Sequence, residues 1–467
     1  MQTETSLLPP LTPKVHSWIS QFISDPERVR SVIKQYGSPV NLHSTTPFIE
    51  NYENYKRVLD KYELNHLICF ARKANKSKSF VKAASEHGFG VDTASYRELL
   101  QCLDEGMDKD KLILTAAIKN KELIELAIKN EVLIIIDNLD ELELTKKLST
   151  ELGVVAQIGL RLGGFHINGH KLYTRFGVDI EEAKNFMLDH IQQANQIQFR
   201  GFHFHLNGYS IDERAKAIAE TIALIDEMRK YEISTEFIDI GGGLLINYLE
   251  DREEWDEFQE ELKMAVQGFR EPITFQNNGL GYSINDGELI GNLATYPYYN
   301  ETHKEDFLEA ILSYPTGKGE IATLLKDRNI TIRMEPGRSL LDQSGVTLAE
   351  VVFRKYDSQG NLLIGLHMNK TQLFSSSADF LLDPIVLNYE SNEDSEPTSG
   401  YFVGAYCLEQ DVILKRKINL AKTPAIGDIV CFPNTAGYMM HFYETEAHLF
   451  NLSTNLFLKE NGKVERD

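Results

Sequence analysis

Lys73 stands in the stretch Phe70-Ala71-Arg72-Lys73-Ala74-Asn75, directly after the apolar run Leu67-Ile68-Cys69-Phe70. A primary amine flanked by small residues, where a strand hands over to a helix, is placed to condense with a carbonyl group as a Schiff base. A lysine at a strand end is more often a solvated surface charge. What gives this one weight is that polar residues end the other strand-like runs too: Asp92, Arg161, His203 and His205, then Asp239-Ile240-Gly241-Gly242-Gly243, and Glu335-Pro336-Gly337-Arg338. The glycine triplet leaves no Cβ between backbone N–H groups and a phosphate, although a tight turn also accounts for three glycines. No phosphate-loop pattern GxxxxGK[ST] is present, and Gly317-Lys318-Gly319 does not fit one. Glu335 is able to keep a ring nitrogen protonated, or else to be satisfied by Arg338 three residues on. His203 and His205 alternate with Phe202 and Phe204, which puts both imidazoles on one face, fit to stack on a ring or carry protons. A zinc site on His203/His205 or His166/His170 lacks further ligands at suitable spacing, so no metal is expected.

These residues need elements to present them. Apolar runs at 67–71, 88–91, 112–115, 132–137, 155–162, 199–205, 237–240 and 330–335 alternate with helix-patterned segments such as 77–87, 96–105, 121–130 and 211–230. Eight β/α units predict an α/β protein built on a (β/α)8 TIM barrel; a doubly wound sheet is the alternative on pattern alone. In such a barrel the C-terminal strand ends form one mouth, so the polar residues above converge. An insertion near 244–327, with a polar-aromatic stretch at 276–299, is expected to elaborate that mouth. From about 341 the runs 346–353, 362–367, 401–403 and 428–432 follow one another without helices and predict a C-terminal all-β domain, with an exposed loop at 388–399. The expected division is an N-terminal segment, 1–45, packing with the β domain, a barrel over 46–340 and the β domain over 341–467.

A chain of 467 residues is too long for one ordinary domain, and 42% hydrophobic with 25% charged residues suits a large soluble core. The balance of 48 basic against 69 acidic residues, a net charge of -21, repels phosphate backbones and anionic bilayers, so neither nucleic acid nor membrane is an expected partner. Cys69, Cys102, Cys407 and Cys431 are scattered without CxxC pairing, which argues against a disulfide framework. Residues 1–13 do not read as a signal peptide, and no run approaches the roughly 20 apolar residues of a membrane span. A cytoplasmic location is expected.

Taken in order, Phe70 to Asn75, Gly90-Val91-Asp92-Thr93-Ala94-Ser95-Tyr96-Arg97-Glu98-Leu99, Asp239 to Gly243 and Glu335 to Arg338 resemble the fold-type III pyridoxal-phosphate decarboxylases, the diaminopimelate and ornithine decarboxylase family. The resemblance runs from Tyr36-Gly37-Ser38-Pro39 into the C-terminal domain and implies an alanine racemase-like barrel. It implies pyridoxal 5′-phosphate held by Lys73, its ring stacked by His205 and its pyridine nitrogen met by Glu335. Asp92 and Arg161 would belong to the cofactor pocket. Gly241, Gly242, Gly243, Arg338 and Tyr438 would hold the phosphate. Arg175, in Thr174-Arg175-Phe176-Gly177, resembles the arginine that holds substrate carboxylates, and Tyr438 would line the same pocket. Cys407 resembles the cysteine that crosses a homodimer interface to serve in product protonation, so a homodimer with shared active sites is implied, acting on a small amino-acid-like substrate.

The departures fall on substrate recognition. The acidic residue expected after the cysteine is Leu408, with Glu409 one step later. Asn207-Gly208 replaces Gly-Ser after His205, with Ser210 the serine that a reshaped loop would offer instead, and His441-Phe442-Tyr443 replaces Asn-Tyr-Asn. The implied activity is α-decarboxylation of an amino acid or a derivative of one. Racemisation or epimerisation on the same scaffold, or non-catalytic cofactor binding, are its rivals.

Overall fold

In the computed structural model, which describes residues 8–375, 378–388 and 396–467, eight parallel strands follow one another around a closed ring. They are His66–Ala71, Gly90–Thr93, Leu112–Leu114, Leu133–Ile136, Ala156–Gly163, Ile197–Phe204, Phe237–Asp239 and Thr331–Met334. The last pairs back onto the first, with Ile332 beside His66. The ring is continuous between the fifth and sixth, with Phe202 beside Leu160. An open doubly wound sheet has two edges; this one has none, which settles the alternative left by the pattern.

The strands close because their inward positions fill the centre. Cys69, Ile113, Leu133, Ile135 and Phe237 form one buried cluster in the barrel interior. The fifth and sixth strands carry glycine where that cluster is fullest. A Cβ on Gly159 would lie 2.6 Å from Ile135 Cδ1, and one on Gly201 would strike the Phe237 ring and carbonyl. The helices that return the chain begin with ordinary caps. Ser95, Asn120, Asn138 and Ser210 each accept a backbone N–H from the first turn that follows.

The chain divides into two compact units. The barrel unit comprises Ile49–Leu245 and Thr302–Leu340. The second comprises Met1–Phe48, Ile246–Glu301 and Leu341–Asp467. Its sheet is centred on the long strand Gly345–Tyr356, which pairs with Val40–His43, Leu362–Leu366 and Ile429–Pro433. Two N-terminal helices, Ser17–Ile23 and Pro26–Tyr36, bury Trp18, Ile19, Phe22 and Val32 against Val40, Leu348 and Cys431 of that sheet.

The insertion near 244–327 is therefore divided. Residues 246–301 pack inside the β unit, and 244–245 and 302–327 belong to the barrel unit. Aromatic burial explains the split: Tyr248, Trp255, Tyr296 and Tyr298 pack edge-on or tilted against one another, the Tyr296 hydroxyl accepts the Ile246 N–H at 2.9 Å, and the Tyr298 hydroxyl accepts the Leu381 N–H at 3.0 Å. Of the loop expected at 388–399, residues 389–395 lie outside the described residues, and Thr398–Val403 is a strand beside Leu362–Leu366. No helix among the described residues is long and apolar enough to cross a membrane.

All four cysteines are free thiols; three are buried and Cys407 is exposed. Native protein titrated with a chromogenic disulfide should yield one fast-reacting thiol per chain, mapped to Cys407, and all four only after denaturation. Rapid labelling of Cys69, Cys102 or Cys431 in the native state would contradict this packing.

Candidate active site

Lys73 lies in the single turn Arg72–Ala74 that ends the first barrel strand. Its neighbour Arg72 is buried and donates to the carbonyls of Asn75 and Lys76 and to Gln101, which pins the loop on one side while Lys73 faces the other polar ends. Lys73 Nζ reaches Asp92 Oδ2 at 3.2 Å. Asp92 ends the second strand, and the motif after it fixes that end: Ser95 caps the helix Tyr96–Asp104 through the Glu98 N–H, and Glu98 Oε2 accepts the Ala94 N–H at 2.7 Å. The other Asp92 oxygen accepts the Thr115 hydroxyl.

The third and fourth strand ends add residues that the sequence reading passed over. Thr115 follows Leu112–Leu114, and Asp137 follows Leu133–Ile136. Arg161, on the fifth strand, donates Nη2 to the Thr115 carbonyl at 2.6 Å and pairs through Nη1 with Asp137 Oδ1 at 3.0 Å. A continuous polar chain thus runs from Asp137 through Arg161 and Thr115 to Asp92 and Lys73.

Across the sixth and eighth strand ends, His203 Nε2 and Glu335 Oε1 are 3.1 Å apart and both side chains are buried. Asp239 accepts the Gly241 N–H at 2.9 Å. His203, Asp239 and Glu335 bring one nitrogen or oxygen each within 4.8 Å of one another. Burial raises the pKa of all three carboxylates, Asp92, Asp239 and Glu335, and mutual repulsion adds to it for Asp92 and Asp239; for Glu335, Lys73 and Arg161 pull the other way. Burial, and then the charge of Arg161, push the His203 pKa well below its ordinary value. Burial thus favours the neutral imidazole and opposes ionisation of the carboxyl group that meets it across the 3.1 Å contact.

His205 lies one residue beyond its strand and, unlike His203, reaches the surface. Its Nδ1 accepts the Gly242 N–H at 3.3 Å. The protein packed around the ring, and then the charge of Lys73, lower its pKa. The two partner phenylalanines, Phe202 and Phe204, are fully buried, as the alternation requires. Gly241 and Gly243 have φ of +66° and +79°. A Cβ on Gly241 would lie 2.7 Å from His205 Nδ1, and one on Gly242 2.7 Å from the Glu335 carbonyl oxygen. Arg338 is buried, and the Pro336 carbonyl accepts the Ala71 N–H at 3.4 Å, which sets the loop after the eighth strand beside the one that carries Lys73. Ser210 accepts the Glu213 N–H at 3.1 Å as a helix cap. Arg175 is exposed, with its guanidinium 4.0 Å from the centre of the Phe176 ring, and Arg161 stands 5.3 Å from that ring centre.

The remaining expected residues lie in the β unit. Cys407, Leu408 and Glu409 are exposed on a turn tied by Asp411, which accepts the N–H groups of Lys370 and Tyr406 at 2.8 and 2.7 Å. Tyr438 takes φ of +73°, a conformation that costs a non-glycine residue about 1–3 kcal/mol and that clusters at functional sites.

Residues 47–277 match the model of the pyridoxal-binding domain of the pyridoxal-dependent decarboxylases. The uncharacterized protein y4yA of Sinorhizobium fredii is 30% identical over 420 residues, 89% of this chain and 86% of that one. The chain belongs to the fold-type III pyridoxal-phosphate-dependent decarboxylases. The diaminopimelate decarboxylase of Staphylococcus aureus is 23% identical over 93% of this chain and 92% of its own length. Among solved structures, the lysine/ornithine decarboxylase of Vibrio vulnificus complexed with putrescine is 19% identical and superposes with a TM-score of 0.66 over 96% of this chain and 100% of that one. The diaminopimelate decarboxylase of M. jannaschii in complex with L-lysine gives 0.70 at 17% identity, over 94% and 91%. At such identities these likenesses establish the shared fold.

The residues at the barrel mouth fit the family's cofactor, pyridoxal phosphate. An amine, a buried carboxyl group whose ionisation burial opposes and a glycine loop are present together. Among the described residues, His203 Nδ1 and Asp239 Oδ2 are buried polar atoms without a hydrogen-bond partner, so the site has polar capacity left over.

The sign of one pH effect follows. A histidine whose folded pKa lies well below the ordinary 6.5 takes up its proton only on unfolding, so its contribution to stability is intact above about pH 6.5 and is lost as the pH falls toward the folded value. The stability difference between wild type and His203→Gln, measured by denaturant unfolding, should shrink between pH 7 and pH 5 by up to about 1.4 kcal/mol per pH unit. A difference that stays level or grows on acidification would show that His203 is not held neutral.

Proposed function

We propose that the protein releases carbon dioxide from the α-carbon of an amino acid or amino-acid derivative, using pyridoxal 5′-phosphate held at the barrel mouth. When bound, that cofactor supplies a carbonyl for the substrate amine and a protonated ring that draws off the electrons of the breaking Cα–carboxylate bond. The observation that carries the reading is the facing pair of groups on the one ring of strand ends, with Lys73 Nζ against Asp92 and Glu335 against neutral His203.

Each residue then has a task. Lys73 anchors the carbonyl carbon through Nζ, and Asp92 orients that amine. Glu335, whose burial favours the protonated carboxyl group, gives and holds a proton at the pyridine nitrogen. His205, on the ring face, stacks and excludes water. Gly241, Gly242, Gly243, Arg338 and Tyr438 bind the phosphate, and Arg161 braces Asp92 through Thr115. Arg175, stiffened over Phe176, takes a substrate carboxylate as a fork. Glu409 takes the substrate's distal end in place of the absent acid at Leu408. Cys407 or Lys73 returns a proton to Cα. We assign the protein a homodimer with shared sites and a cytoplasmic location on the same reading.

A panel of L- and D-amino acids, diaminopimelate, lysine and ornithine included, scored for carbon dioxide, amine and enantiomer composition, tests this. Carbon dioxide with an equal yield of amine is expected. D/L exchange without carbon dioxide would mean racemisation, and no turnover of any kind would favour a binding role. With an active substrate in hand, Glu335→Gln should lower kcat by about 10²–10⁴ while the cofactor still binds. A kcat within a factor of two of wild type would remove Glu335 from the chemistry.

A further inference from the structure

Arg214 plays no part in the mechanism above, yet it is among the largest fully buried side chains of the protein, 1% exposed. It lies in the first turn of the helix Ile211–Arg229. Its Nη2 donates to the carbonyls of Gly208 at 2.8 Å and Gly242 at 3.2 Å, and Nη1 donates to the Ser210 carbonyl at 3.4 Å. It also stands 5.8 Å from the centre of the Phe307 ring. Among the described residues no carboxylate pairs with it, and its Nε is buried without a hydrogen-bond partner.

A guanidinium in this position is expensive to keep. Burial without a counter-charge disfavours the cation, and it lowers the Arg214 pKa to about 10. The first turn of a helix is also the end where positive charge is disfavoured. The arrangement makes sense if the counter-charge comes from outside the chain. The neighbouring loop says where. Arg214 Nη2 occupies the space a Cβ on Gly243 would need, so the guanidinium backs directly onto the glycine triplet. Because a peptide plane sets C=O and N–H on opposite sides, holding the Gly242 carbonyl turns the Gly243 N–H away from Arg214. That N–H makes no hydrogen bond among the described residues.

We propose that Arg214 is a positioning residue of the phosphate subsite. It clamps the Gly208 and Gly242 carbonyls from behind so that the opposite face of the loop presents the Gly243 N–H, and it supplies the buried positive charge that a bound phosphate dianion neutralises. The inference rests on the cofactor reading above and concerns only how the phosphate end is held.

The test compares dissociation constants for pyridoxal phosphate and for pyridoxal, which lacks the phosphate, by absorbance titration of the full-length apoprotein. Wild type should prefer the phosphorylated compound. In Arg214→Gln, which keeps an amide donor for the carbonyls but no charge, the ratio of the two constants should fall by at least about tenfold, the loss of one charge-assisted interaction. Arg214→Lys should keep the ratio within about threefold of wild type at pH 7, and lose it relative to wild type as rising pH discharges the lysine. This second variant serves if the first does not fold. A wild-type ratio in Arg214→Gln, or an Arg214→Lys ratio that tracks wild type across the pH range, would overturn the proposal while leaving the cofactor reading in place. Wild type that bound neither compound would remove both.

Discussion

Three carboxyl groups buried at one end of a barrel are the constraint around which the site is arranged. Asp92, Asp239 and Glu335 are each at most 3% exposed. Three full negative charges in a low dielectric would repel one another and lack solvation, so the ring of strand ends is built to avoid that state. Lys73 neutralises Asp92. The Gly241 N–H takes one oxygen of Asp239. His203, kept neutral by burial, stands 3.1 Å from Glu335. The chemistry proposed for this mouth draws on the same tension, since an acid held against ionisation has a proton to place elsewhere.

The arrangement extends outward through a second buried pair. Lys119 Nζ is 2.8 Å from Glu141 Oε1, and the Asp137 N–H donates to the same oxygen at 3.1 Å. Burial lowers the pKa of Lys119 and raises that of Glu141, so neither charge is comfortable without the other. Glu141 lies on the helix Leu139–Leu152, capped by Asn138. Glu141 holds the backbone of Asp137, Asp137 holds Arg161, and Arg161 holds the loop of Thr115, whose hydroxyl meets Asp92. Helix capping, barrel closure and the position of Lys73 are in this way parts of one hydrogen-bonded structure.

Much of this was legible in the sequence, and the limits are physical. All eight barrel strands and the helices near 77–87, 96–105, 121–130 and 211–230 announce themselves, because parallel strands buried on both faces read as apolar runs and the return helices carry caps. Lys73, Asp92, Arg161, His203 and Glu335 do end strands and do meet around one ring. Thr115, Asp137, Lys119 and Glu141 escaped notice although two of them end the third and fourth strands; reading every strand end alike finds them. Arg214 gave no signal, since an arginine in the first turn of a helix after a strand-end loop looks like surface, and only its burial against carbonyls reveals otherwise. Residues 246–301 were assigned by their place in the chain, whereas packing follows the aromatic cluster of Tyr248, Tyr296 and Tyr298. Strand Val40–His43 also went unread: four residues of mixed polarity mean little until Gly345–Tyr356, some 300 positions away, pairs with them.

The central claim is that Lys73, and no other lysine, anchors the cofactor at the mouth of the barrel. The direct measurement is borohydride reduction of the protein in the presence of pyridoxal phosphate, followed by peptide mapping by mass spectrometry. The account predicts a single pyridoxyl-lysine, at Lys73. A pyridoxyl group on Lys119 or any other lysine, with Lys73 unmodified, would contradict it.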